Sequence, residues 1–339
     1  MKNKTFLLTP LAWACACAMA QGLPSGGAIV RGQGSIGGDA SRLIVNQSSQ
    51  NMVANWQSFS VGAGKSVEFV QPSKDALVLN RVIGGDRSEI MGSLKANGRV
   101  VLQNPNGVLI GPDAQVSVGS LVATTLDADV DQAMAGRVSL SATGTLPLGA
   151  VLNIGSITAA PGGHVVLAGP RVANTGSITA PGGTVALAAG SAVKLDQDAS
   201  GALAIGTPAP AAGAQLTQTG SIAADGGTVS LQASDRDAGS RTVMEVGGVV
   251  RARSIEQREG KILLTAGSAG VVKVEGTLDA SGDNRSAGGT IKVLGDRIGI
   301  GAGARLDASG GTGGGTIHVG GAFPGPGPAQ NAAGTDRAQ

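Results

Sequence analysis

Short runs of alternating apolar and polar residues, punctuated by glycine, recur along most of this chain. Gly163-His164-Val165-Val166-Leu167, Gly183-Thr184-Val185-Ala186-Leu187 and Gly227-Thr228-Val229-Ser230-Leu231 share one pattern. Gly289-Thr290-Ile291-Lys292-Val293 and Gly315-Thr316-Ile317-His318-Val319 repeat it, and looser copies begin at Gly98, Gly136 and Gly260. A second strand precedes many of these, as in Gly155-Ser156-Ile157-Thr158-Ala159 and Gly176-Ser177-Ile178-Thr179-Ala180, with further copies from Gly220, Gly276 and Ala304. Each unit therefore reads as a short strand, a Pro-Gly-Gly or Ser-Gly turn and a second short strand. No segment has convincing apolar spacing at i, i+3, i+4, i+7, and glycine and β-branched residues are too frequent for long helices.

Repeats of this size predict an all-β solenoid of parallel coils. The third residues of the eight copies lie 38, 27, 20, 44, 33, 29 and 26 residues apart. Most of these gaps read as one coil, and the longest as two. A single unit cannot bury its apolar side, whereas stacked units bury a continuous column. At roughly 4.8 Å and ~24 residues per coil, the stack comes to about 13 coils and about 60 Å. Alternation sends Val165/Leu167, Val185/Leu187, Val229/Leu231, Ile262/Leu264, Ile291/Val293 and Ile317/Val319 inward, and the residues between them outward. Open ends of such a stack are unpaired strand edges that need covering. The stretch from Ile29 to about Val70, richer in Asn, Gln and Ser and in aromatics, is the expected cap, with Asn46 to Val70 as capping strands. Residues 321–339, with Gly-Pro-Gly-Pro at their start, read as a disordered tail.

Composition narrows the function classes. Lys2 and Lys4, an apolar run from Phe6 and Ala18-Met19-Ala20 read as a cleaved secretory signal over residues 1–20, too short in its apolar part for a ~30 Å membrane core. Cys15 and Cys17 lie inside it, without the aliphatic residue that a lipoprotein signal needs. Removing both lysines leaves 23 basic and 23 acidic residues, so no global charge recruits nucleic acid or anionic lipid. The mature chain has no cysteine and no tyrosine, and keeps only Trp56, Phe59, Phe69 and Phe323 as aromatics. Such a core is built from small aliphatic rungs, without disulfide or thiolate-metal support.

Candidate chemistry is sparse. His164 and His318 occupy outward repeat positions and read as exposed decoration, leaving nothing for a histidine metal site or a nucleophile relay. Asp127, Asp129 and Asp131 have the spacing for calcium or for glycosidic acid–base work, but no aromatic sugar platform lies near them, so they read as a solvated loop. Asp279 and Asp307 recur at matching coil positions and read as turn residues. No enzyme activity, metal or cofactor is expected.

One constellation carries more. Asn51-x-x-x-Asn55-Trp56-Gln57-Ser58-Phe59-Ser60-Val61-Gly62 is followed by Asn80-Arg81-Val82-x-Gly84-x-Asp86 and Ile90-Met91-Gly92-x-Leu94-x-Ala96-Asn97-Gly98. Asn104-Pro105-Asn106-Gly107-Val108-Leu109-Ile110-Gly111 and Gly119-x-Leu121-Val122-Ala123-Thr124-Thr125 complete it. On physics alone Asn-Pro-Asn-Gly is a tight turn between strands. Together, about a hundred contiguous residues in this order resemble the N-terminal secretion domain of the filamentous haemagglutinin family, the exported partner of two-partner secretion systems.

The resemblance implies a right-handed parallel β-helix with N-terminal capping strands, a secretion domain over 21–135 and a β-helix repeat region over 136–320. It implies recognition in the periplasm by a dedicated outer-membrane transporter, export to the extracellular space or cell surface, and adhesion to a host glycan or protein receptor. Neither nucleic-acid binding nor membrane insertion is implied. Asn80, Asn104, Pro105, Asn106 and Gly107 become the positions tied to secretion competence, with a turn needed only for folding as the alternative at each. Some relatives carry two Asn-Pro-Asn turns, and this chain has one. Two rival readings stand beside this one: a β-helical polysaccharide-degrading enzyme, which needs converging carboxylates on adjacent coils, and a truncated remnant of a large adhesin.

Overall fold

The computed structural model describes residues 22–143, 148–197, 203–256, 258–267 and 269–320; the expected signal and tail lie outside them. A three-faced parallel β-helix runs through these residues. Its first face is an 11-stranded sheet, its second an 8-stranded sheet and its third another 11-stranded sheet. One coil shows the order: Arg99–Gln103 on the first face, Val108–Ile110 on the second and Gln115–Val118 on the third, before Ser120–Thr124 returns to the first.

The register confirms the repeat reading on the first face. Leu121 faces Val165, which faces Val185, then Val229, Ile262, Ile291 and Ile317 in turn. On the third face Ile157, Ile178, Ile222, Val250, Leu278 and Leu306 form a second column. The second face, with Val151, Val172 and Leu216 in register, went unseen in the sequence because no glycine-led repeat marks it. At its inner edge Asn153 donates to Asn174 at 2.7 Å and Asn174 donates to Gln218 at 2.7 Å, all three fully buried. Such ladders satisfy polar groups from one coil to the next, which is what burial demands.

Four expectations need correction. The first face holds ten parallel strands rather than 13, because a coil with three faces and turns uses more chain. The 44-residue gap is one coil, since Val185 pairs directly with Val229. The copy at Gly136 is not a rung: Val138–Ser141 runs antiparallel in a separate sheet, and the unrecognised Ser120–Thr124 takes its place. Antiparallel capping is confined to Ala28–Arg31 and Gly34–Gly38, whereas Arg42–Gln47 and Asn51–Trp56 already pair in parallel with the next coil. Trp56, Phe59 and Phe69 fill the core at this end, with Phe59 edge-on to Trp56 at 5.3 Å.

The separate sheet explains a further correction. Two excursions, one after Thr125 and one after Gly190, supply Asp127–Ala128, Val138–Ser141, Ala192–Gln197 and Leu203–Ile205, which pair as a four-stranded antiparallel cover sheet. It lies on the outer side of the first face. Val53, Leu79, Val101, Val122, Val166, Ala168, Ala186 and Ala188 point outward there and pack against Leu126, Leu140, Val193 and Leu195. The outward positions are thus a second core. Ser230 is buried with them.

The three acids of the expected loop are structural. Asp127 accepts from Gln103 Nε2 at 2.8 Å. Asp129 caps the short helix Val130–Met134, accepting from the Gln132 backbone N–H at 2.9 Å. That is the ordinary role of Asp at a helix start. Asp131 pairs loosely with Arg31 at 3.7 Å. Asp279 and Asp307 accept from Ser281 and Ser309 two residues on, as turn residues do.

His164 is 4% exposed rather than solvated, held between the Ser120 and Thr184 strands. Burial, and secondarily the charge of Arg99, lower its pKa from 6.5 to about 4. A group depressed in the folded state contributes stability that is full above its unfolded value and lost as pH falls through the folded one. Between pH 6.5 and 4 the chain should lose on the order of 3 kcal/mol on this account. Urea unfolding at pH 7 and pH 4 should show that loss, and His164→Gln should flatten it.

Candidate functional site

The residues singled out by the sequence meet at one corner, where the first face turns into the second. Asn80 lies within the strand Leu77–Val82, with its side chain inward and fully buried. Its Oδ1 accepts from the Trp56 indole N–H at 3.0 Å on the preceding coil, and its Nδ2 donates to the Val101 carbonyl at 3.3 Å on the following one. One amide therefore ties three consecutive coils. Trp needs a partner for its N–H when buried, and Asn80 supplies it.

On the following coil Asn104-Pro105-Asn106-Gly107 closes a tight turn, with the Gly107 N–H donating to the Asn104 carbonyl at 3.0 Å. Proline presets the second turn position, and Gly107 takes φ +127°, which side chains rarely adopt. Asn104 is fully buried. Its Oδ1 accepts from the Asn106 backbone N–H at 2.9 Å, while its Nδ2 donates to the Asp86 carbonyl at 2.9 Å and to Ser88 Oγ at 3.0 Å. Asn106 is exposed and its Nδ2 donates to the Gly84 carbonyl at 2.9 Å. The turn thus clamps the Gly84–Ser88 loop of the coil before it. Gly107 is buried, and Pro105 is half-buried.

The two motif boxes are accordingly one physical unit. Of its five residues, Asn106 is the exposed one, so a partner meeting the folded domain would touch little of the rest. Thr124 and Thr125 of the motif are fully buried at this corner, and so is Ser88, which sequence reasoning missed. Thr124 receives the Asn104 backbone N–H on its carbonyl at 2.9 Å. Among the described residues there is no group of three or more His, Cys, Asp or Glu placed to hold a metal ion.

Comparison with known proteins agrees with this architecture. The family model described as the TPS secretion domain matches residues 20–293. The chain belongs to the TPS secretion domain family. The match crosses residue 135, as the sheets do, and takes in the whole cover sheet and all of the first face except its last strand and the end of Thr290–Leu294. The fold is similar to the crystal structure of the HMW1 secretion domain from Haemophilus influenzae, with a TM-score of 0.72 and 26% identity over 87% of this chain and 76% of that one. The filamentous hemagglutinin secretion domain matches with a TM-score of 0.52 and 20% identity over 88% of this chain and all of that one, a likeness of fold. Two heme/hemopexin-binding proteins of Haemophilus influenzae are similar in sequence: 35% identical over 174 residues, 48% of this chain, and 47% identical over 88 residues, 26% of it. The matched stretches span 18% and 10% of those two relatives. The chain thus carries the secretion domain of a two-partner secretion exoprotein.

Proposed function

We propose that the domain is read by the periplasmic part of an outer-membrane transporter while still extended, and folds as a β-helix after passage to the outside. The observation that carries this reading is the burial of Asn80 and Asn104, both 0% exposed. Their side chains are open to a partner only before the coils close. In an extended chain such segments can add to an exposed sheet edge of a receptor. The protein acts without catalysis in this reading; Asp129 serves a helix cap, Asp279 and Asp307 turns and Asp131 an ion pair. Host-surface adhesion is the proposed downstream role; heme or hemopexin binding, stated in the names of the two Haemophilus influenzae relatives, is the second reading.

The test is export. With the transporter co-expressed, wild type should accumulate in culture supernatant, Asn104→Ala should fall at least fivefold, and Asn106→Ala should stay near wild type. Refolded Asn104→Ala should remain β-rich by circular dichroism, since one lost buried amide costs about 1–3 kcal/mol. Loss with Asn106→Ala and normal export of Asn104→Ala would instead mean that the folded surface is read.

A further inference from the structure

A second set of polar groups gathers at the corner where the third face turns into the first. A cleft of about 190 Å³ there is lined by Lys74, Asp75, Arg99, Ser120 and His164 together with the Gly162–Gly163 turn. Arg99 is half-buried, and burial pulls its pKa down against the pull of Asp75. Its Nη1 donates to the Gly136 carbonyl at 2.9 Å, while its Nε is buried with no partner. No carboxylate lies within salt-bridge distance of it among the described residues. The lining carboxylate, Asp75, is mostly exposed and sits 3.6 Å from the Lys74 ammonium.

His164 adds a donor. Ser120 Oγ accepts from the His164 backbone N–H at 3.1 Å and stands 3.3 Å from the ring Nδ1. The hydroxyl proton is then free for Nδ1, which leaves the ring proton on Nε2. That nitrogen has no protein partner among the described residues. A guanidinium cannot shed its charge, and an unpaired buried donor is costly. The cleft therefore holds two cations and an imidazole N–H against one exposed acid.

We infer that this cleft binds a single oxyanion group, a carboxylate, sulfate or phosphate, between Arg99, Lys74 and His164. Arg99 would engage it through Nη2, since Nη1 is taken by the Gly136 carbonyl and Nε is buried. Lys74, exposed and flexible, would close the open side. At this volume the cleft admits one such group rather than a chain of them.

The experiment uses the full chain, whose two histidines give two ring Cε1–H signals, with His318 as internal reference and His164→Gln for assignment. Sodium sulfate, phosphate and acetate are titrated at constant ionic strength against chloride. The expected result is a saturable displacement of the His164 signal alone by at least one oxyanion. Its apparent affinity should weaken several-fold in Lys74→Gln and more than tenfold in Arg99→Gln. Saturation by acetate but not sulfate assigns a carboxylate ligand, and the reverse assigns a sulfate or phosphate ligand. No displacement up to about 100 mM, an equal displacement by chloride, or unchanged affinity in Lys74→Gln overturns the site. Lys74 is 85% exposed at its side chain, so that variant tests the site without touching the Arg99–Gly136 hydrogen bond.

Discussion

Gly183→Ala should unfold or severely destabilise this protein. A Cβ at Gly183 would stand 1.7 Å from the Gly163 carbonyl oxygen of the coil beneath. Gly163, Gly227, Gly289 and Gly315 meet the same obstacle at 2.0, 2.0, 2.1 and 2.0 Å, each against a carbonyl of a glycine one coil earlier. Gly155, Gly176, Gly220, Gly248 and Gly276 form a second such column at the other corner of the third face, at 2.0–2.2 Å. These glycines are needed for close backbone approach. The obstacle is main chain, which cannot swing aside, so relief requires parting two coils. A cost of about 3–5 kcal/mol follows, among the larger effects of single substitutions. For a domain of this size that is a drop in Tm of roughly 10 °C. Differential scanning calorimetry of Gly183→Ala beside Gly313→Ala, whose Cβ would meet nothing within 4 Å, checks the argument. Similar Tm values for the two would show that the corners yield.

Ala186→Asp should have the next largest effect. On a bare solenoid the position points to water and a charge there is harmless. Here Ala186 is 0% exposed, packed between the first face and the cover sheet. An ionised carboxylate in that layer has no partner, and an uncompensated buried charge costs roughly 3–5 kcal/mol. Thr158→Asp, on the exposed outer side of the third face, is the control. Chemical denaturation should show a large fall in midpoint for Ala186→Asp and a change within about 0.5 kcal/mol for the control. Equal midpoints would mean that the cover sheet does not dock.

Much of this architecture was legible in the residues. Val185, Leu187 and their counterparts keep strict alternation, and glycine marks the two crowded corners, so two faces could be read directly. The second face lacks the glycine column: its strands at Leu216, Met244 and Val272 alternate in burial but follow loops of varied length. Val166 and Ala186 point outward as alternation requires, but alternation alone says which side a residue faces and nothing about what covers that side. His164 was lost to the same cause. The candidate site was legible as a motif, yet its chemistry was not. No sequence pattern tells that Asn80 holds the Trp56 indole, or that Asn104 and Asn106 grip the Gly84–Ser88 loop; those links span 16 to 24 positions and appear only when coils stack.

The cover sheet also sets an order in which the chain can become finished. Val138–Ser141 has its partner in Ala192–Gln197, yet the surface both protect begins at Val53. A chain released from its N-terminus can stack its early coils as they appear, but their greasy flank stays wet until the stretch near residue 197 arrives. Any piece cut at 135 would carry that flank bare and should clump. The smallest self-sufficient length is therefore dictated by a lid that is delivered late, well downstream of the motif that marks the module's beginning.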